Sequence, residues 1–231
     1  MMRGLVLSLF PGADLLGKAF EAEGWCVVRG PDVLLGGDIR EWHVVPGRFD
    51  GIIGGPPCKA FSVAVTGQTP TQGNLIPEFV RIVQEAKPSW WVMENVPQSP
   101  TPVELGECHE HVVDGRCFGA AQHRTRKFCS NLVLEMEELP ADQRHPNPWP
   151  CVTATEYKYC GSPRDKRRAG RKVGRQMTLA EINVAMGLPE DWETPALTKA
   201  MQYAVRGNGV PIQLGRAVAR AVNKALSVEE Q

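Results

Sequence analysis

The chain has 231 residues, and its 26 basic residues (Lys and Arg) balance its 26 acidic residues (Asp and Glu), so the formal net charge is zero. Hydrophobic residues make up 42% of the chain and charged residues 23%, a composition that is typical of a folded globular protein and excludes global disorder. No apolar run is long enough to cross a bilayer, so we expect no membrane association. Because the net charge is zero, a nucleic-acid partner would have to be bound by a local basic patch.

The first half of the chain alternates short apolar runs with helical patterns. This alternation predicts βαβ units, and therefore an α/β fold with a doubly wound, mainly parallel sheet. The predicted strands are Leu5–Phe10, Trp25–Val28, Asp50–Ile53 and Trp90–Met93, and the predicted helices are Asp14–Glu23, Pro77–Ala86, Thr178–Met186, Pro195–Val205 and Ile212–Leu226. Open α/β sheets bind ligands at the carboxyl ends of their strands, so the loops after the strands are the candidate site.

The segment Gly54-Gly55-Pro56-Pro57-Cys58 follows the third predicted strand. The glycines permit a sharp exit from the strand, and the prolines stiffen the backbone before the thiol. Such a cysteine could act as a nucleophile if its surroundings stabilise the thiolate. A buried, inert cysteine is the alternative, and this motif alone does not separate the two.

A carboxylate stands at the end of the fourth predicted strand, in Glu94-Asn95-Val96. Beside apolar walls its pKa should be raised, so that it could donate a proton to a ring nitrogen. The alternative is a surface acid that caps the next segment.

Two arginines alternate in the extended segment Gln122-His123-Arg124-Thr125-Arg126. Residues at i and i+2 of an extended chain point to the same face, so the two guanidinium groups could converge on one ligand. An exposed basic strand edge is the alternative.

The second half changes in character. From Cys129 to Pro150 it is rich in proline, and Lys158–Arg175 holds eight basic residues against the single acid Asp165. This basic tract could contact several phosphates, although a solvated loop can have the same composition.

The cysteines are seven in number and irregularly spaced, which favours reduced thiols and a cytoplasmic location over a disulfide framework. Cys108-x-x-His111 with Cys117 has a superficial likeness to a metal site. The spacing is irregular, so we interpret these residues as unlinked and expect no metal.

In chain order these motifs resemble those of the cytosine-C5 DNA methyltransferase family, and the match spans nearly the whole chain. The protein is similar to a small, phage- or prophage-type member with a shortened target-recognition region. The matching segments are Leu9-Phe10-Pro11-Gly12, Gly37-Asp38-Ile39, Gly55-Pro56-Pro57-Cys58 with Phe61-Ser62, Glu94-Asn95-Val96, Gln122-x-Arg124-x-Arg126, Arg175-x-x-Thr178-x-x-Glu181 with Met186-Gly187-Leu188-Pro189, and Gly207-Asn208-Gly209-Val210-Pro211.

The resemblance implies methyl transfer from S-adenosylmethionine to C5 of cytosine in DNA, with S-adenosylhomocysteine as product and no metal. Cys58 would attack C6, Glu94 would hold and protonate N3, Arg126 would contact O2, and Arg124 would brace the active-site loop. A water-relayed base would remove the C5 proton. The target base would have to be flipped out of the duplex.

The resemblance also implies residues that bind the two substrates. Phe10 would pack on the adenine, Asp38 would accept from its amino group, and Asn208 would close the pocket. The complete expected cofactor set is Phe10, Gly12, Asp38, Pro57, Leu75 and Asn208, and the expected nucleic-acid contacts are Ser62, Gln122, Lys166, Arg167, Arg168, Arg171 and Lys172.

Three departures from the family pattern affect these expectations. Ala13-Asp14-Leu15 stands where the family has further glycines, and Asp32 lies one residue after the usual place of the ribose-binding acid. The recognition region is about fifty residues long, which is short for a DNA-binding module. Phosphate contacts position a protein without specifying a sequence, so we expect loose or short-site specificity.

We therefore expect a catalytic domain of residues 1–128 plus 175–231 and a recognition lobe of residues 129–174. The expected protein is a monomer that acts on double-stranded DNA, as in restriction-modification. An RNA (tRNA) cytosine-C5 methyltransferase is one alternative. A catalytically silent nucleic-acid-binding relative is another, although intact Cys58, Glu94 and Arg126 argue against it.

Overall fold

A computed structural model describes residues 3–57, 73–154, 156 and 177–229. Its centre is a six-stranded sheet in the order β2-β1-β3-β4-β6-β5. The strands are β1 (Leu5–Leu9), β2 (Cys26–Arg29), β3 (Gly51–Gly54), β4 (Trp90–Asn95), β5 (His109–Asp114) and β6 (Thr125–Ser130). Strands β2, β1, β3 and β4 are parallel, whereas β6 runs antiparallel to both β4 and β5. The predicted doubly wound, mainly parallel sheet is confirmed.

The chain winds outward from the centre of the sheet in both directions. From β1 it crosses to β2 at one edge, and it then returns to β3 and β4 on the other side of β1. The order of the strands thus reverses between β1 and β3. Ligand sites of open α/β sheets lie at such a switch point, outside the carboxyl ends of the strands.

The helices of the described chain are α1 (Leu15–Ala22), α2 (Ile76–Ala86), α3 (Leu179–Met186), α4 (Lys199–Asn208) and α5 (Ile212–Glu229). Four of them match the predicted ranges closely. Helix α4 begins later than predicted because Thr198 is its N-cap, with a side chain that accepts from the backbone N–H of Met201. Helix α3 begins with a capping box between Thr178 and Glu181. No helix of the described segments has the length and apolar character needed to cross a membrane.

Alternate residues of the central strands face two apolar layers. On one face, Val6, Ile53 and Trp90 pack with helices α1 and α5. On the other face, Leu7, Ile52 and Trp91 pack with helix α2. A third cluster joins Leu15 and Val152 to helices α3 and α4, so the C-terminal helices lie against the start of α1.

The predicted domain boundary after residue 128 falls inside strand β6, which continues to Ser130. Beyond the strand, Leu132 and Leu134 are buried in the same cluster as helix α5. The Pro-rich, acidic composition begins only after these residues. The sheet therefore extends beyond residue 128.

Candidate active site

The loop between β1 and α1 has an unusual backbone at the switch point. Phe10, Gly12 and Asp14 have φ values of 55°, 54° and 53°, in the left-handed region that favours glycine. The Asp14 carboxylate accepts hydrogen bonds from Ser8 Oγ (2.7 Å) and Gly17 N (3.1 Å), which caps helix α1. It also lies 2.8 Å from Arg29 Nε. Asp14, one of the departures from the family pattern, is thus held in the left-handed conformation by its side chain.

A cavity of about 590 Å³ lies at this end of the sheet. Its size falls within the range of small-molecule sites. Its lining includes all six residues predicted to bind the cofactor: Phe10, Gly12, Asp38, Pro57, Leu75 and Asn208. Glu94, Arg124 and Arg126 line the same cavity, so the structure brings three of the four candidate catalytic residues together with the candidate cofactor residues.

Glu94 is buried at the end of β4, and its carboxylate lies 2.8 Å from Arg126 Nε. Burial raises the pKa of Glu94, and this effect outweighs the opposing charges of Arg126 and Arg124. The raised pKa expected from the sequence is therefore found. A carboxyl group with a raised pKa keeps its proton to higher pH than a free glutamic acid and can share that proton with a ligand.

Arg124 is buried, and its guanidinium group connects three segments of the chain. It donates to Val152 O and Gly207 O, each at 2.7 Å, from a position just before strand β6. Burial and the neighbouring charge of Arg126 lower the pKa of Arg124 to about 10. The two arginines therefore do not form an exposed basic edge. Arg124 has the contacts of a brace, whereas Arg126 faces the acid.

The loop that leads to Cys58 is tied to the strand that carries Glu94. Asn95 Nδ2 donates to Pro56 O at 3.1 Å, and Asn95 Oδ1 accepts from Val96 N at 2.8 Å. Pro57, the residue before Cys58, lines the cavity. Cys58 and Ser62 lie outside the described residues.

The cavity has the chemistry that S-adenosylmethionine requires. Phe10, Ile39 and Leu75 offer apolar surfaces to a purine, and carboxylates at the wall can accept from amino and hydroxyl groups. Asp32 accepts from Gly12 N at 2.9 Å, which ties it to the first loop. Asp38 pairs with Arg40, whose hydrogen bonds lower the pKa of Asp38 to about 2, so this carboxylate is ionised.

Gln122 is a correction to the expected nucleic-acid contacts. Its side chain is fully buried, where it donates to Ala185 O at 2.8 Å and accepts from Val152 N at 3.0 Å. It therefore supports helix α3 and a segment within the expected recognition lobe, and in this structure its side chain is not exposed to a nucleic acid. The basic residues Lys166, Arg167, Arg168, Arg171 and Lys172 lie outside the described residues.

The candidate metal ligands point to different partners. His111 Nε2 accepts from Leu134 N at 3.2 Å, and Cys108 lies beside Cys129. Among the described residues, no three His, Cys, Asp or Glu side chains are grouped as metal ligands.

The cavity wall also contains residues that the sequence analysis missed. Met201, Ala204 and Val205 of helix α4 line it, and they lead directly to Asn208. The sequence did contain a signal for them. Residues at i and i+4 lie on one helix face, so the helical spacing of these residues before Asn208 places them beside a predicted cofactor residue.

A cavity at the switch point of a doubly wound sheet, with an acid and two arginines in its wall, is typical of a ligand-binding Rossmann-like domain. Comparison with known proteins specifies the family. The chain matches the family model described as C-5 cytosine-specific DNA methylase over residues 35–102 and 130–224. The chain belongs to this family.

Two curated relatives illustrate the range of similarity. Type II methyltransferase M.AquIA of Picosynechococcus is 49% identical across 55% of this chain and 71% of that protein. Type II methyltransferase M.FnuDI of Fusobacterium nucleatum is 34% identical across 39% of this chain and 32% of that protein.

Solved structures show the same fold at low sequence identity. A putative DNA modification methyltransferase encoded within an Escherichia coli prophage superposes with a TM-score of 0.69 at 16% identity, covering 96% of this chain and 99% of that one. DNMT2 of Spodoptera frugiperda superposes with a TM-score of 0.65 at 15% identity, covering 95% and 99%.

Proposed function

We propose that this DNA cytosine-5-methyltransferase uses S-adenosylmethionine and forms a covalent bond between Cys58 and C6 of the target cytosine. The supporting observation is that a single cavity is lined by all six expected cofactor residues and by Glu94, Arg124 and Arg126. The substrate is double-stranded DNA, and the protein acts as a monomer. The irregular cysteines favour a reducing, cytoplasmic location.

The residues of the chain provide the activation of the ring. Attack by the Cys58 thiolate forms the S–C6 bond and pushes electrons toward N3 and C5. Glu94, whose pKa is raised by burial, donates a proton to N3 and so limits the negative charge on the ring. Bound S-adenosylmethionine supplies an electrophilic methyl group for C5.

After methyl transfer, Cys58 and Glu94 return to their starting states. A water-relayed base removes the C5 proton, the S–C6 bond breaks, and N3 returns its proton to Glu94. Arg126 keeps the Glu94 carboxyl group in place, since its Nε lies 2.8 Å from Oε1, and it donates to the cytosine O2. Arg124 holds the surrounding segments through Val152 and Gly207.

A covalent trapping experiment tests this proposal. In the presence of S-adenosylmethionine, duplex DNA containing 5-fluorocytosine should form an adduct that survives denaturation, because after methyl transfer fluorine at C5 cannot leave as a proton does. Cys58→Ser should abolish the adduct while the protein remains folded. Absence of an adduct with the wild-type protein would contradict the mechanism. Tritium transfer to matched DNA and tRNA tests the substrate, and preferential labelling of tRNA would contradict the DNA assignment.

A further inference from the structure

The segment that carries Asp38 to the cavity lacks support from a strand. Between β2 and β3, the regular structure consists of two 3₁₀ turns, Val33–Leu35 and Ile39–Glu41. Gly37, Asp38, Ile39 and Arg40 all line the cavity. Short 3₁₀ turns have poor hydrogen-bond geometry, so contacts with the rest of the molecule must determine the position of this wall.

Arg81 of helix α2 makes these contacts from behind the wall. One terminal nitrogen of its guanidinium group donates to Ile39 O at 2.7 Å and to Trp42 O at 3.0 Å. These carbonyls lie at the start and just beyond the end of the second turn. Arg81 itself is not part of the cavity lining.

Two carboxylates on the same helix fix the orientation of Arg81. Its Nε donates to Glu78 Oε2 at 2.8 Å, and its other terminal nitrogen donates to Glu85 Oε1 at 2.7 Å. Glu85 also accepts from His43 Nδ1 at 3.1 Å, immediately after the turn. Two nitrogens of the guanidinium group are thus held by carboxylates of helix α2, and the third binds the carbonyls of the cavity wall.

Apolar packing complements this polar contact. Ile39 is buried in the cluster that contains helix α2, and Trp42 and Val44 pack against that cluster. Apolar contacts keep the wall close to the helix but do not specify its orientation, because the hydrophobic effect is non-directional. Hydrogen bonds from a rigid, planar fork specify orientation.

We infer that Arg81 is a positioning residue for cofactor binding, which holds the turn Ile39–Glu41 so that Asp38 and Ile39 meet the purine nucleoside part of the ligand. This inference rests on the proposed function. A lysine at this position keeps the positive charge but, as a point charge on a flexible stem, lacks the fork that reaches both carbonyls and both carboxylates.

The test is the binding of S-adenosylhomocysteine, measured by calorimetry without DNA. For Arg81→Lys we expect the Kd to rise about tenfold, as for the loss of one or two hydrogen bonds that fix the wall. The KM for S-adenosylmethionine should rise in parallel, with kcat at saturating cofactor within about twofold of wild type, because the charge and the catalytic groups remain.

A matched control is Arg220→Lys. Arg220 is also an ion-paired helical arginine, but it lies on helix α5 and pairs with Glu23, away from the cavity wall. The Kd of this variant for S-adenosylhomocysteine should equal that of wild type. Glu78→Gln should have a smaller effect than Arg81→Lys, because the bonds to Ile39 and Trp42 remain. If Arg81→Lys unfolds at the assay temperature, hydrogen exchange of residues 37–44 is measured at a lower temperature. Exchange that is faster than in wild type, and faster only in this segment, supports the inference.

Three results would overturn the inference: an unchanged Kd for Arg81→Lys, an equal loss in Arg220→Lys, or unchanged exchange of residues 37–44. In each of these cases the proposed function stands. If the wild-type protein does not bind S-adenosylhomocysteine, the proposed function and the inference both fail.

Discussion

At the scale of single residues, Glu94 is defined by the balance between burial and charge. Burial raises its pKa although Arg126 and Arg124 favour the ionised form. The folded state therefore prefers the protonated carboxyl group more than the unfolded chain does. The stability that this proton contributes is fully present below the pKa of the unfolded chain, and it is lost as the pH rises from there through the raised pKa of the folded state.

We predict that catalysis follows this titration. The rate of methyl transfer should fall as the pH rises through the raised pKa of Glu94. Glu94→Gln should reduce the rate by about 10²–10⁴-fold, since an amide cannot donate a proton to N3. Single-turnover rates against pH measure both effects. The falling limb should be absent from the Glu94→Gln profile, and a limb that persists there would assign the titration to another group.

Asp14 leads to a second prediction at this scale. Asp14→Ala should lower the free energy of unfolding by about 2 kcal/mol, because it removes the helix cap and leaves a non-glycine residue at φ 53°. Asp14→Gly removes the same cap without the left-handed strain, so its loss should be about half as large. Urea unfolding of the two variants measures the difference. Equal losses would show that strain at residue 14 is negligible.

At the scale of elements, helices α1 and α5 approach closely at Gly215. A methyl group at this position would place its carbon 2.7 Å from Ala19 Cβ. We predict that Gly215→Ala lowers the free energy of unfolding by about 1–2 kcal/mol, because overpacking exceeds the gain in helix propensity. Thermal or urea unfolding measures this change.

The double variant Ala19→Gly/Gly215→Ala, which exchanges the two residues, provides the control for Gly215→Ala. Ala19→Gly removes the methyl group that the new side chain would meet, so the double variant should be more stable than the sum of the two single changes indicates. Simple additivity would show that the two helices do not compete for space at this point. Arg220→Ala, an exposed change on the same helix, should stay within about 0.5 kcal/mol of wild type.

Elements differed in how well their sequences predicted them. Helices α1 and α2 have apolar residues at helical spacing and were predicted almost to their ends. Strands β5 and β6 were not predicted. Strand β6 contains two basic residues with partners inside the protein: Arg126 pairs with Glu94, and Lys127 donates to Ser99 O. These partners are distant in sequence, so local periodicity gives no signal.

At the scale of the whole molecule, a zero net charge is combined with the basic tract Lys158–Arg175. We predict that binding to mixed-sequence DNA is strongly salt-dependent, with neutralisation of Lys166 and Arg167 by alanine reducing the slope of log K against log salt by about 2. The binding of S-adenosylhomocysteine should not change. An unaltered slope would show that the tract does not contact phosphates.

The short recognition region affects the sequence specificity that we expect of the protein. Methylation of a mixed-sequence duplex should show loose or short-site specificity, because phosphate contacts carry no sequence information. Sequencing of methylated positions at low and moderate salt measures this property. A strict preference for a long site would contradict the expectation.

The primary sequence was sufficient for the sheet's central strands and the order of the motifs. The strands depend on local patterns, since an apolar run followed by a sharp turn is enough to place Phe10 or Glu94 at a strand end. The family resemblance supplied the six expected cofactor residues that line the cavity, whereas Met201, Ala204 and Val205 of the same wall were missed. The burial of Gln122, the partners of the expected brace Arg124 and the contacts of Arg81 depended on the folded molecule. Gly207 is 83 residues from Arg124, and Ile39 is 42 residues from Arg81. Contacts over such separations form only when the sheet and helices have packed, so no local pattern contains them.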